Sequence, residues 1–111
     1  MKKFNAQLLW RAERDVDHIL TWLNERSPHG AASWLRTWDR TFAMLESSAD
    51  EYGLAPENED HELEIRQIMF RTRKGRDYRA LYTIRGNDVY VMHIRAPGQD
   101  LVPPDELTLP S

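Results

Sequence analysis

The sequence predicts an α+β domain with the element order β-α-α-β-β-β, a helical hairpin packed on one face of a small curved antiparallel sheet. Three observations carry this. Two stretches of the first half repeat their apolar residues with helical spacing. Three later runs alternate or hold apolar residues at strand length, with glycine-bearing turns between them. A short alternating run precedes both helices. At 111 residues the chain suits one domain with one core. The expected domain is residues 1–111, with an irregular tail from about residue 97.

The first strand is read in "KKFNAQLLW", where Phe4, Ala6 and Leu8 alternate with Asn5 and Gln7. From Ala12 the period changes. Val16, Ile19, Leu20 and Leu23 fall on one helical face, and Glu13, Arg14, Asp17 and Asn24 face away. "ERSPHG" ends this helix and begins the next, with Ser27 placed to cap it and Pro28 at the first helical position, where its missing N–H costs nothing. The second helix is expected over about 28–48. Ala31, Leu35, Trp38, Phe42 and Leu45 form its buried stripe, with Trp34 beside it as a core residue rather than a ligand stacker. The turn between the helices is short, so they should lie antiparallel.

"SSADEYGLAPENEDHE" reads as a loop, punctuated by Gly53 and Pro56 and crowded with acid. Three strands follow: "LEIRQIMFRTR", "YRALYTIR" and "VYVMHIRA", separated by "KGRD" and "GND". Gly75 and the Gly86-Asn87-Asp88 cluster are expected to supply the positive φ that tight hairpins demand. Two helices can cover only one face of so small a sheet, so the other should meet water or a partner.

Composition excludes several classes. With 41% hydrophobic and 30% charged residues the chain is not disordered. It has no apolar run of membrane-spanning length, and its start lacks a signal-peptide core. There is no cysteine, hence no disulfide framework and no thiolate chemistry. A reducing cytoplasm is the expected location. The four histidines lie too far apart to suggest a metal site, no phosphate-cradling glycine loop or serine nucleophile motif stands out, and no cofactor is expected.

The net charge of −3 conceals an asymmetry. Residues 66–95 carry eight basic side chains against Asp77 and Asp88, a local +6, while the rest of the chain carries seven basic and sixteen acidic ones. Such a division suits one face meeting an anionic partner. Arg79 and Arg85 should point from the open sheet face, with Arg66 and Arg95 able to join them. Val89, Val91, His93 and Arg95 should share one side of the last strand. Arginine suits phosphate because its planar fork donates two parallel hydrogen bonds. Arg71, Arg73, Lys74 and Arg76 bracket a turn and read as solvated surface. Arg79, mid-strand between Tyr78 and Tyr82, needs a partner carboxylate or an anionic ligand. His93 is the one candidate for proton transfer near neutrality, although a lone histidine is more often structural.

"DVDHILTWLNERSPHGAASWLRTW" followed by "GLAPENEDHELEIRQIMFRTRKGRDYRALYTIRGNDVYVMHIRAPGQD" resembles the RelE/ParE superfamily, the plasmid-stabilisation toxins of type II toxin–antitoxin systems. The features that carry it are the helical hairpin, "EIR" entering the first hairpin strand, "YRALYTI", the "GNDVYVMHIR" return and the "PGQD" exit. The resemblance implies a toxin neutralised by a cognate protein antitoxin that wraps its surface. It also implies one of two targets: mRNA, cleaved in the ribosomal A site without a metal, or DNA gyrase, poisoned without catalysis. Arg79 takes the place of the family's sheet arginine, Arg66 that of an arginine in the preceding strand, and Arg95 lies near a late basic position. Translation inhibition by mRNA cleavage is the first reading, with Arg66, Arg79 and Arg95 on phosphate and His93 in proton transfer. Gyrase inhibition is the second, and a non-toxic relative that only binds antitoxin the third. The nuclease relatives offer a lysine pair, or a glutamate and histidine, and a late tyrosine. Here the matching strand holds Arg66, Gln67 and Ile68, and no tyrosine follows Tyr90, so a nuclease would lean on His93 or Glu64.

Overall fold

A computed structural model describes residues 2–110. Its elements are β1 (Asn5–Leu8), α1 (Trp10–Arg26), α2 (Pro28–Ser48), β2 (Arg66–Phe70), β3 (Tyr78–Arg85) and β4 (Asp88–Arg95). Short 3-10 turns at Ala49–Glu51, Pro56–Asp60 and Pro104–Glu106 stiffen the connections. The class and the element order are those read from the sequence. Among the described residues, no helix is long and apolar enough to cross a membrane.

The sheet has the order β1-β4-β3-β2 and is mixed rather than antiparallel throughout, because β1 pairs with β4 in parallel. The cause lies in the helical hairpin. It returns the chain to the end of the sheet where β1 starts, and the Phe4 N–H donates to the Glu46 carbonyl there at 2.9 Å. β2 therefore sets out in the direction of β1, and two reversals leave β4 running the same way. Ser27 caps α2 as its sequence position implies, its hydroxyl accepting from the Gly30 N–H at 3.0 Å. In the β3–β4 turn Gly86 has φ +60° and Asn87 stays on the negative side, the φ pattern of a II′ hairpin. Gly75, expected to share that role, has no positive φ.

One apolar layer lies between the helices and the sheet, with Trp34, Trp38, Leu45, Ile68, Phe70, Ala80, Tyr82, Val89, Val91 and Ile94 buried in it. Trp34, Trp38, Phe70 and Tyr78 form a packed aromatic group with centroid separations of 5.3–6.5 Å. The Tyr82 hydroxyl is sealed in this layer and donates to the Ala49 carbonyl at 2.6 Å, while burial pushes its phenol far above the usual range.

Two expectations about strand faces are corrected. The register moves from Leu81↔His93 to Tyr82↔Val91, so Met92 is an extra residue in β4. This bulge lets Val91 and Ile94, three apart, both reach the helical core, and it turns Met92 and His93 away from it. Val89 and Val91 thus do not share a side with His93 and Arg95. The second correction concerns the face expected to be open. Ile65, Leu81 and Met92 are buried there under Ala55 of the α2–β2 connection and under Val102 and Leu107 of the C-terminal tail. The chain covers its own second face with a strap.

Candidate functional site

Three basic side chains of the hairpins, Arg79, Arg95 and Arg66, meet close partners from the same chain. Arg79 projects from the start of β3 on the strap side. Its two terminal nitrogens donate to both carboxylate oxygens of Glu57 at 2.7 Å each, and one of them also reaches Gln67 Oε1 at 3.2 Å. Glu57 is almost wholly buried, with 2% of its side chain exposed against 15% for Arg79. Its Oε2 also accepts the Val102 N–H at 2.9 Å, which fastens the tail to the clasp. Burial alone would raise the Glu57 carboxyl, but the hydrogen bonds from Arg79 and Val102 outweigh it and hold the group below its ordinary value.

Arg95 is the cross-strand neighbour of Arg79. It donates through Nε at 3.0 Å and Nη2 at 2.7 Å to the Asp100 carbonyl, closing the turn that leads into the strap. Arg66 lies elsewhere. It pairs in register with Tyr82, on the helical side at the free edge of the sheet, with Glu64 Oε1 at 2.8 Å and the Tyr52 carbonyl accepting from Nη1. It does not join Arg79 and Arg95 on one face.

His93 is 5% exposed and stands between two acids. Asp15 of α1 places Oδ2 at 2.5 Å from Nδ1. Glu106 of the tail lies 3.2 Å from Nε2. Burial works against the charged ring and Arg95 opposes it too, yet Asp15 and Glu106 prevail and raise its pKa above the ordinary histidine value. Asp15 Oδ2 also accepts the Ile94 N–H at 2.8 Å, satisfying β4 beyond the reach of β1. His61, a loop residue on the strap side, is fixed as the Nε2–H tautomer by its neighbours. Its Nδ1 accepts the Leu63 N–H at 2.9 Å and its Nε2 donates to the Leu107 carbonyl at 2.8 Å.

The structure thus brings Arg79, Arg95 and His93 to one end of the sheet and holds each with carboxylates or carbonyls of its own chain. Of the hairpins' positive charge, the exposed part lies at the β2–β3 turn and at Arg85. Arg73, Lys74 and Arg76 have no carboxylate within 4 Å among the described residues, and Arg71 reaches Asp77 only at 3.9 Å.

Sequence reasoning missed a second accessible group. Trp10 and Trp22 of α1 are 60% and 51% exposed, and arginines stack on both: Arg11 and Arg14 on Trp10, Arg26 on Trp22 at 3.8 Å from its centroid. The signal was available. Both tryptophans fall outside the Val16, Ile19, Leu20, Leu23 stripe, and each is followed four residues on by an arginine.

In comparison with known proteins, a family model described as "ParE toxin of type II toxin-antitoxin system, parDE" matches residues 7–101. Searches of curated proteins and of solved structures found no match.

Proposed function

The chain belongs to the ParE toxin family of type II toxin–antitoxin systems, and from that premise we propose that it arrests growth by gripping a cytoplasmic protein, DNA gyrase, without cutting RNA. The observation that carries this reading is the buried bidentate pairing of Arg79 with Glu57. An arginine that stabilises charge on a scissile phosphate must be free to meet it. Here the guanidinium fork is already filled, and vacating it would strand a buried carboxylate. Cleavage by 2′-hydroxyl attack also needs a base and an acid within reach of the substrate. His93 is enclosed between Asp15 and Glu106 and is not open to solvent. A toxin that acts through contact needs neither group free. Membership of the family also gives it a cognate antitoxin as partner.

Cleavage of mRNA stands as the second reading, supported by the free cations Arg73, Lys74 and Arg76 around the β2–β3 turn, which could lie against an RNA backbone. In that reading Arg79, Arg66 and Arg95 would hold phosphate and His93 would move the proton. Two assays on the purified protein separate the readings. With gyrase, ATP and relaxed plasmid, the gyrase reading predicts lost supercoiling or accumulated broken DNA. With programmed ribosomes it predicts intact message. Message cut on the ribosome with gyrase unaffected would reverse the choice.

A further inference from the structure

The connection between β2 and β3, residues 71–77, reads "RTRKGRD" and leaves Arg71, Arg73, Lys74 and Arg76 all exposed. Four cations and one acid stand here, in a chain whose other residues hold 11 lysines and arginines against 17 acids. Arg73, Lys74 and Arg76 meet no carboxylate within 4 Å among the described residues, and Arg71 reaches Asp77 only at 3.9 Å. The turn is tight. The Gly75 N–H donates to the Thr72 carbonyl at 3.0 Å, and a Cβ at Gly75 would come within 2.5 Å of the Thr72 hydroxyl oxygen. The start of α2 lies close by, since Gly30 lines the same cleft as Gly75 and Arg76. Its first turn carries no acidic residue, so the positive end of a 21-residue helix adds to the field of the four cations. Like charges held this close repel one another, and an anion set among them relieves that repulsion.

We propose that this turn binds the phosphate backbone of duplex DNA, and that a toxin seated on gyrase sets it against the DNA that gyrase holds. Its place at gyrase rests on the gyrase reading above, whereas duplex binding by the turn does not. Composition selects the partner. Residues 71–77 contain no apolar side chain, and protein contacts are anchored by buried aromatic and aliphatic groups, with lysine depleted. Contacts to a duplex backbone need only exposed cations, and such interfaces are polar and strongly positive. Single strands are held instead by bases stacked on open aromatic rings. The aromatics that flank the turn, Phe70 and Tyr78, are packed on each other and on Trp34 at 5.6–5.7 Å. A single-stranded message therefore finds no platform here. Phosphate contacts carry no sequence information, so binding should be indifferent to base sequence.

The test is anisotropy titration of the full chain with a labelled duplex of mixed sequence, with one of its single strands and a peptide of Glu and Asp as controls. The duplex should bind about fivefold or more tighter than either control. With roughly three phosphates engaged, each doubling of salt should weaken it about sixfold. Arg73→Ala combined with Lys74→Ala should weaken it about tenfold and flatten the salt dependence. Arg85→Ala, which alters an exposed arginine at the far end of β3, should leave it unchanged. Matching circular dichroism melts would show that these surface variants keep the fold. No duplex binding at about 50 mM salt would overturn the proposal. So would equal or tighter binding of the strand or the peptide, or a loss in the double variant no larger than in Arg85→Ala. A pull-down with gyrase, with and without plasmid, tests the setting. The double variant should lose affinity for the gyrase–DNA complex and keep it for gyrase alone. Loss with gyrase alone would assign the turn to a protein contact and overturn its place on DNA. Wild-type protein that binds the duplex but no form of gyrase would sink the gyrase reading and leave the duplex site standing.

Discussion

Glu57 and Arg79 come together from an acidic loop and the start of a strand, 22 residues apart. Each is buried enough that removing the other strands a charge. Glu57→Gln should therefore cost about 3 kcal/mol in urea unfolding, while Glu57→Leu combined with Arg79→Met should recover much of that loss. The same double variant tests the functional reading, because a folded protein that remains toxic without Arg79 has no need of that arginine at its target. His93 sets a pH dependence. Its pKa is raised in the folded protein, so its contribution is fully present below the ordinary value of 6.5 and fades as pH rises through the raised value. The stability gap between wild type and His93→Gln, measured by urea unfolding, should narrow from about pH 6.5 upward. Glu57 acts with the opposite sign: its contribution is present above 4.5 and is lost as pH falls through its lowered value. The sequence showed that Arg79 needed a carboxylate or an anionic ligand. It could not show which, because no spacing rule relates Glu57 to Arg79, or Asp15 and Glu106 to His93. Those pairings exist only once the elements have packed.

The helices were the most legible elements, because a 3.6-residue apolar period and a Ser-Pro start are local signals. Both bounds of α2 agree with that reading. Ser27→Ala should cost about 1 kcal/mol, read as a lower urea midpoint, since it removes the one side-chain cap that α2 has. Gly86→Ala should cost about 1–2 kcal/mol by the same measurement, because φ +60° crowds a Cβ against the backbone. The bulge in β4 was not legible. "VYVMHIR" contains neither glycine nor proline, and strict alternation placed His93 beside Val91. Only the need to bury Ile94 against the helices while Leu81 and Met92 fill the opposite face explains the extra residue.

Across the whole molecule, the strap decides what the sheet can offer. "RALYTI" carries apolar residues on both of its faces, and that was the clue that the second face would be covered. What covers it was hidden, because the tail "DLVPPDELTLP" has no period and anchors through scattered contacts: Val102 to Glu57, Leu107 to His61, Glu106 to His93. Leu107 is fully buried at the centre of this second core, so Leu107→Ala should cost about 3 kcal/mol and increase binding of a hydrophobic dye. With the strap in place, Arg66, Arg79 and Arg95 hold the molecule together, and accessible cations and aromatics lie at the β2–β3 turn and along α1. That distribution is the basis for reading the protein as a toxin that works by contact. The most direct test is pulse-labelling of DNA and protein synthesis, side by side, after controlled induction in a bacterial host. Gyrase inhibition predicts that DNA synthesis fails first, with a DNA-damage response and intact mRNA. Collapse of protein synthesis first, with cut messages and undamaged DNA, would contradict it.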